Sequence, residues 1–116
     1  MEDLAGIHSP SILAYFIFFS VVIAPLAEEI FFRGILYAAI RRSGFRQLAL
    51  WASATLFAAS HQNLAVFIPL LVLGLALALL YEKCDNLLAS ISAHSLFNAL
   101  NIVYFFALDR FQPGQP

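Results

Sequence analysis

Charge is what this sequence has least of. Of 116 residues, six are Lys or Arg and seven are Asp or Glu, 11% in all, while 62% are hydrophobic. A soluble domain carries about a quarter charged residues and about half or fewer apolar ones. A chain this short of polar groups cannot cover a globular surface with them, so lipid is its expected solvent. A net charge of −1 with no basic tract excludes an electrostatic footprint for nucleic acid. The single cysteine, Cys84, excludes an internal disulfide and has no metal-binding partner at short spacing. The opening "MEDLAGIHSP" is acidic where a cleavable signal peptide would be basic.

What the sequence has is long uncharged runs. Residues 9 to 27, 47 to 81 and 86 to 108 carry no Asp, Glu, Lys or Arg. A bilayer core of roughly 30 Å takes about 20 helical residues, so the middle run is too long for one crossing. The polar triplet "HQN" at 61 to 63 divides it. The expected fold is an all-α, polytopic transmembrane bundle of about four segments, near 9–41, 48–60, 64–82 and 87–108, in a single domain spanning 1–116. Pro25 lies inside the first segment. Lacking an N–H, it would leave the carbonyl of Val21 without its helical donor, which predicts one long Pro-kinked helix rather than a hairpin. The polar end "DRFQPGQP" reads as a frayed tail.

Orientation follows from the basic residues. Arg41, Arg42 and Arg46 fall in the first connection and Lys83 in the third. With four crossings these connections share a side, and the positive-inside rule predicts that Arg41–Arg46 and Glu82–Asn86 are cytoplasmic.

Against this background a few polar residues stand out. "APLAEEIFFRG" places Glu28, Glu29 and Arg33 inside an apolar segment, "FAASH" places Phe57 and His61, and "HSLFN" places His94 and Asn98. Glu29 and Arg33, Phe57 and His61, and His94 and Asn98 are each four residues apart, so on a helix the members of each pair share a face, while Glu28 is turned about 100° from Glu29. Glu28 lies 13 residues from Arg41, His61 15 from Arg46 and His94 11 from Lys83. At about 1.5 Å per residue, three separate segments bring polar groups to a common depth.

A charge at mid-membrane costs at least about 2.5–3.5 kcal/mol on insertion scales, so such residues need a reason. Glu29 and Arg33 alone suit a structural clip. His61 alone suits a helix end, and His94 with Asn98 suits an interhelical hydrogen bond. Their shared depth favours a site. A carboxylate and a histidine can take a proton from a water aimed at a carbonyl, and a second histidine with an amide can donate to the oxyanion that forms. Phe57 is expected to wall that site. Gly74, Ala78 and the small residues of "WASATLFAAS" read as close helix packing.

In order and spacing, the three motifs resemble those of the CPBP family of intramembrane proteases, which includes type II CAAX prenyl endopeptidases and the Abi or bacteriocin-processing proteins. The resemblance runs from about residue 20 to 103. It implies an all-helical membrane protease that is independent of metal and cofactor. Glu28 is then the general base helped by His61, His94 and Asn98 are the oxyanion pair, and Glu29 and Arg33 are supporting residues. Members of that family carry further hydrophobic segments before the Glu-Glu motif, and here there is room for one. The chain is thus expected to be a fragment, a minimal member, or a protein completed by partner helices or a second copy.

The implied substrate is a peptide or protein, membrane-anchored in the CAAX case. Three rivals use the same residues. A zinc protease would hold its ion with His61, His94 and a glutamate, though no H-E-x-x-H is present. A non-catalytic immunity or partner-binding protein needs no water. An ion carrier needs a continuous polar path, against which the single polar layer argues.

Overall fold

The computed structural model describes residues 9–112. The acidic start at residues 1–8 and the end of the polar tail at 113–116 lie outside the described residues. Four helices fill the rest: α1, Pro10–Arg42; α2, Arg46–Ser60; α3, Phe67–Cys84, entered through a 3₁₀ turn at Leu64–Val66; and α4, Leu87–Phe111. No strand occurs among the described residues. Asp109 to Phe111 are helical, so the tail expected from Asp109 onward begins later.

The helix ends follow local chemistry. Ser9 caps α1 by accepting from the Ile12 amide at 3.3 Å, with Pro10 at the first helical position where no donor is lost. Gly44, at φ +92°, turns the chain out of α1. Asp85 takes a left-handed conformation after α3, and Asn86 caps α4 through the Leu88 amide at 2.8 Å. The two charged connections are consequently shorter than expected. They comprise residues 43–45 and 85–86, and Glu82 lies inside α3.

α1 is unbroken across Pro25, as the absence of Gly, Asn or Asp there predicts, but two π-helical stretches interrupt its α register, at Phe19–Ile23 and Ile30–Tyr37. These change which carbonyl Pro25 deprives. The Ala24 amide reaches back five residues to Phe19 O. In that register the donor missing at Pro25 belongs to Ser20, so the orphan carbonyl is that of Ser20 rather than Val21. Asn98 of α4 supplies the substitute, donating from Nδ2 to Ser20 O at 2.8 Å.

Three helical spans are long and apolar enough to cross a membrane: Pro10–Arg42, Leu64–Cys84 and Leu87–Phe111. The fourth expected crossing is short. α2 has 15 residues, a rise of about 22 Å against a core of roughly 30 Å. Its buried residues pair up at four-residue intervals, Ala49 and Leu50, Ser53 and Ala54, Phe57 and Ala58, and form a stripe facing α3. Gly74 permits the close approach, since a Cβ there would lie 3.0 Å from Ala54 Cα and 3.1 Å from Phe57 Cδ1. The outer faces stay apolar: Phe16, Ile35, Ile68, Val72 and Phe105 are all more than half exposed. Such a surface suits lipid and not water.

One end of the bundle is fastened by Glu82 of α3. Its carboxylate accepts from the Tyr37 hydroxyl of α1 and from Arg46 Nε of α2, the latter at 2.6 Å. This places both charged connections at the same end.

Candidate active site

The second π-helical stretch begins one residue after the Glu-Glu pair, and the two carboxylates part company there. Glu29 is fully buried and points into the bundle, while the Glu28 side chain is 30% exposed. The sequence-derived rotation between neighbours accounts for this.

Glu29 is the centre of a hub that touches all four helices. Its Oε1 accepts from Arg33 Nη1 at 3.0 Å and from His94 Nδ1 of α4 at 2.8 Å. Arg33, also fully buried, donates from Nη2 to Gly74 O of α3 at 2.8 Å. Its guanidinium carbon lies 4.6 Å from the centroid of the Phe57 ring of α2, close enough for a cation–π contact. The pair expected from the i, i+4 spacing is therefore present. The carbonyl of Gly74 is a partner the sequence did not reveal, since any residue has a carbonyl and only tertiary packing aims this one. Glu29 Oε2 and Arg33 Nε are buried without a hydrogen-bond partner among the described residues.

Glu28 faces both histidines. Its Oε2 lies 3.7 Å from His94 Nε2 and 3.9 Å from His61 Nε2, and has no hydrogen-bond partner among the described residues. The partners of the other ring nitrogens fix the tautomers. His94 Nδ1 meets the Glu29 carboxylate, and His61 Nδ1 meets Phe57 O at 2.8 Å. Both partners are acceptors, so each Nδ1 carries a proton, and in a neutral ring Nε2 is left as a lone pair. Three acceptor atoms thus converge with no donor among them.

The separations exceed a direct hydrogen bond. A water placed among them would donate to two of the three acceptors. A metal ion would instead draw nitrogen and oxygen ligands to about 2.0–2.2 Å. Among the described residues no three His, Cys, Asp or Glu side chains are arranged to hold an ion.

Phe57 walls the group, its ring edge-on to His61 at 5.0 Å and to His94 at 5.5 Å between centroids. His94 is almost fully buried, whereas the His61 side chain is 32% exposed at the end of α2. Glu28, His61, His94, Glu29, Arg33 and Phe57 are thereby brought together. Asn98 is on the same face of α4 as His94, and one of its two amide hydrogens is engaged by Ser20 O.

A long-helix bundle with an apolar exterior and one buried Glu–His–Arg centre defines an integral membrane protein with a polar site inside its apolar layer. The chain belongs to the type II CAAX prenyl endopeptidase Rce1-like family, which it matches over residues 10–100. Among curated proteins it is similar to the uncharacterized protein YpbD of Bacillus subtilis (strain 168). The two are 32% identical over 98 residues, covering 81% of this chain and 47% of that protein. It is also similar to the UPF0177 protein YxdF of Lactococcus lactis subsp. lactis (strain IL1403), at 30% identity over 91 residues, 78% of this chain and 50% of that one. The chain spans about half the length of both relatives. No solved structure matches it.

Proposed function

We propose that this chain is the core of an intramembrane endopeptidase in which Glu28 activates a water for attack on a peptide carbonyl. The observation that carries the reading is the convergence of Glu28 Oε2, His61 Nε2 and His94 Nε2 on one position, with every other polar atom of the two histidines already engaged. A water held there passes a proton to Glu28 as its oxygen attacks, and the same proton is then available to the leaving amine. A histidine already protonated at Nε2 before the attack donates toward the tetrahedral oxyanion, and the second Asn98 amide hydrogen is the candidate companion. Glu29 and Arg33 hold His94 in the tautomer this needs.

The substrate class follows from the family alone: a CAAX-type prenyl protein or a bacteriocin-like peptide, reached from the membrane. The end of the bundle formed by Arg41–Arg46 and Glu82–Asn86 is assigned to the cytoplasmic side, on Arg41, Arg42, Arg46 and Lys83. Since the curated relatives are about twice as long, completion of the substrate-binding walls by further helices or a second copy is part of the proposal. A zinc reading would need His61, His94 and a glutamate, which are not arranged to hold an ion among the described residues.

The test is cleavage of a quenched peptide library by the purified protein in detergent, comparing wild type, Glu28→Gln and wild type with a zinc chelator. Cleavage that survives the chelator and is lost in Glu28→Gln is the expected result. Equal cleavage by wild type and Glu28→Gln overturns Glu28 as the base. Loss under chelator, restored by zinc, replaces the mechanism with a metal-dependent one. A folded protein that cleaves nothing argues for the non-catalytic immunity or partner-binding role.

A further inference from the structure

At the fastened end of the bundle, away from the Glu28 site, lies a cavity of about 390 Å³ between α1 and the end of α3, a size typical of ligand pockets. Its α1 side is a stripe that changes character over two turns. Gly34 and Ala38 are small and leave the space open, and Arg41 and Arg42 follow at its rim. Tyr81 forms an aromatic wall, its ring edge-on at 5.9 Å to the buried Tyr37 behind it.

The charges here are unevenly paired. Arg46 is engaged by Glu82, whereas neither Arg41 nor Arg42 has a carboxylate within ion-pair distance among the described residues. Arg42 donates Nε to Ala38 O at 3.2 Å, which leaves its terminal nitrogens free. Asp85 also lines the cavity without pairing to either arginine. Around this end stand Arg41, Arg42, Arg46 and Lys83 against Glu82 and Asp85, an excess of two positive charges.

Position selects among anions. The two arginines end a helical span that is long and apolar enough to cross the membrane, so they lie at headgroup level. Just within the membrane from them, α1 turns apolar side chains outward at Phe31 and Ile35. An anion attached to acyl chains satisfies both halves of this surface, and a soluble one satisfies only the rim. We propose that this cavity binds the phosphate headgroup of an anionic phospholipid, gripped by Arg41 and Arg42 and walled by Tyr81. Basic pockets between membrane helices are suited to such headgroups.

The test is native mass spectrometry of the full chain with phosphatidylglycerol, phosphatidylcholine or inorganic phosphate as probe. Wild type should retain phosphatidylglycerol against excess phosphatidylcholine. The double variant Arg41→Gln/Arg42→Gln should weaken that retention at least about tenfold, the loss of one hydrogen bond to a charged group. Lys83→Gln removes charge from the same end but outside the cavity, and should leave retention unchanged. Both arginines are exposed, and circular dichroism checks that helix content is kept. An equal loss in Lys83→Gln would reduce the effect to general surface charge and overturn the site. Equal retention of the two lipids overturns it as well, and if inorganic phosphate then binds the delipidated protein, the pocket belongs to a soluble anion.

Discussion

Asn98 of α4 donates a 2.8 Å hydrogen bond to the carbonyl of Ser20 in α1, the carbonyl that Pro25 cannot serve in the local π register. A defect within one helix thus becomes the attachment point of another. The coupling can be measured. Asn98→Ala should destabilise the wild-type background by about 1–3 kcal/mol, the cost of an unsatisfied buried acceptor. In a Pro25→Ala background, where residue 25 regains its own N–H, the same change should cost clearly less. Thermal unfolding of the four proteins in detergent gives the coupling energy, and additive costs would show that Pro25 and Asn98 are unrelated.

Glu28 and Glu29 should separate cleanly when each is replaced by Gln. Glu28 Oε2 has no partner to lose, so Glu28→Gln should leave the unfolding midpoint unchanged or higher while lowering cleavage about 10²–10⁴-fold, the typical worth of a general base. Glu29→Gln strands the buried Arg33 charge and should cost about 3–5 kcal/mol. Parallel unfolding and activity measurements decide it. Equal destabilisation by the two substitutions would contradict the hub.

Gly74 carries two functions that a methyl group would set against each other. A Cβ there would lie 3.0 Å from Ala54 Cα, and the Gly74 carbonyl holds Arg33. Gly74→Ala should cost about 1–3 kcal/mol by overpacking and reduce cleavage through displacement of Arg33. The additional substitution Ala54→Gly should restore part of both, read as the unfolding midpoint and the cleavage rate.

Salt should discriminate between the two ion pairs. Arg46 is half exposed in its pair with Glu82, whereas Glu29 and Arg33 are fully buried. Raising ionic strength toward 1 M shortens the screening length to about 3 Å. The small effect of Arg46→Gln, an exposed pair screened by salt, should therefore disappear in high salt, and the Glu29→Gln penalty should persist. Melting curves at low and high salt test both.

Much of this arrangement is legible in the sequence because intramembrane charge is expensive. Glu28, Glu29, Arg33, His61 and His94 stand out as exceptions to an apolar background, and their spacing from the basic connections already sets them at one depth. Helix number follows from the uncharged runs in the same way. The π stretches leave no such trace, since "FSVVI" and "IFFRGILY" read as ordinary apolar helix, and the expectation for Val21 misses by one residue for that reason. Glu82 was hidden differently. Placed beside Lys83 and Asp85 it looks like a loop charge, and only the packing of Tyr37 and Arg46 against α3 makes it a clasp. The bounds of α2 were legible, near 48–60 against Arg46–Ser60 observed; what the count of crossings did not weigh is that 15 residues rise only about 22 Å, short of a core of roughly 30 Å.

That shortness bears on where a reagent comes from. α2 stops at Ser60, and the chain then turns through His61, Gln62 and Asn63, with Gln62 in a left-handed conformation. Backbone groups at such a turn cannot face hydrocarbon unsatisfied, so the surrounding lipid must thin or give way above it. His61 stands at this turn, 32% exposed, with its Nε2 3.9 Å from Glu28 Oε2, so the short helix puts one side of the buried centre at the end of the bundle rather than in its middle.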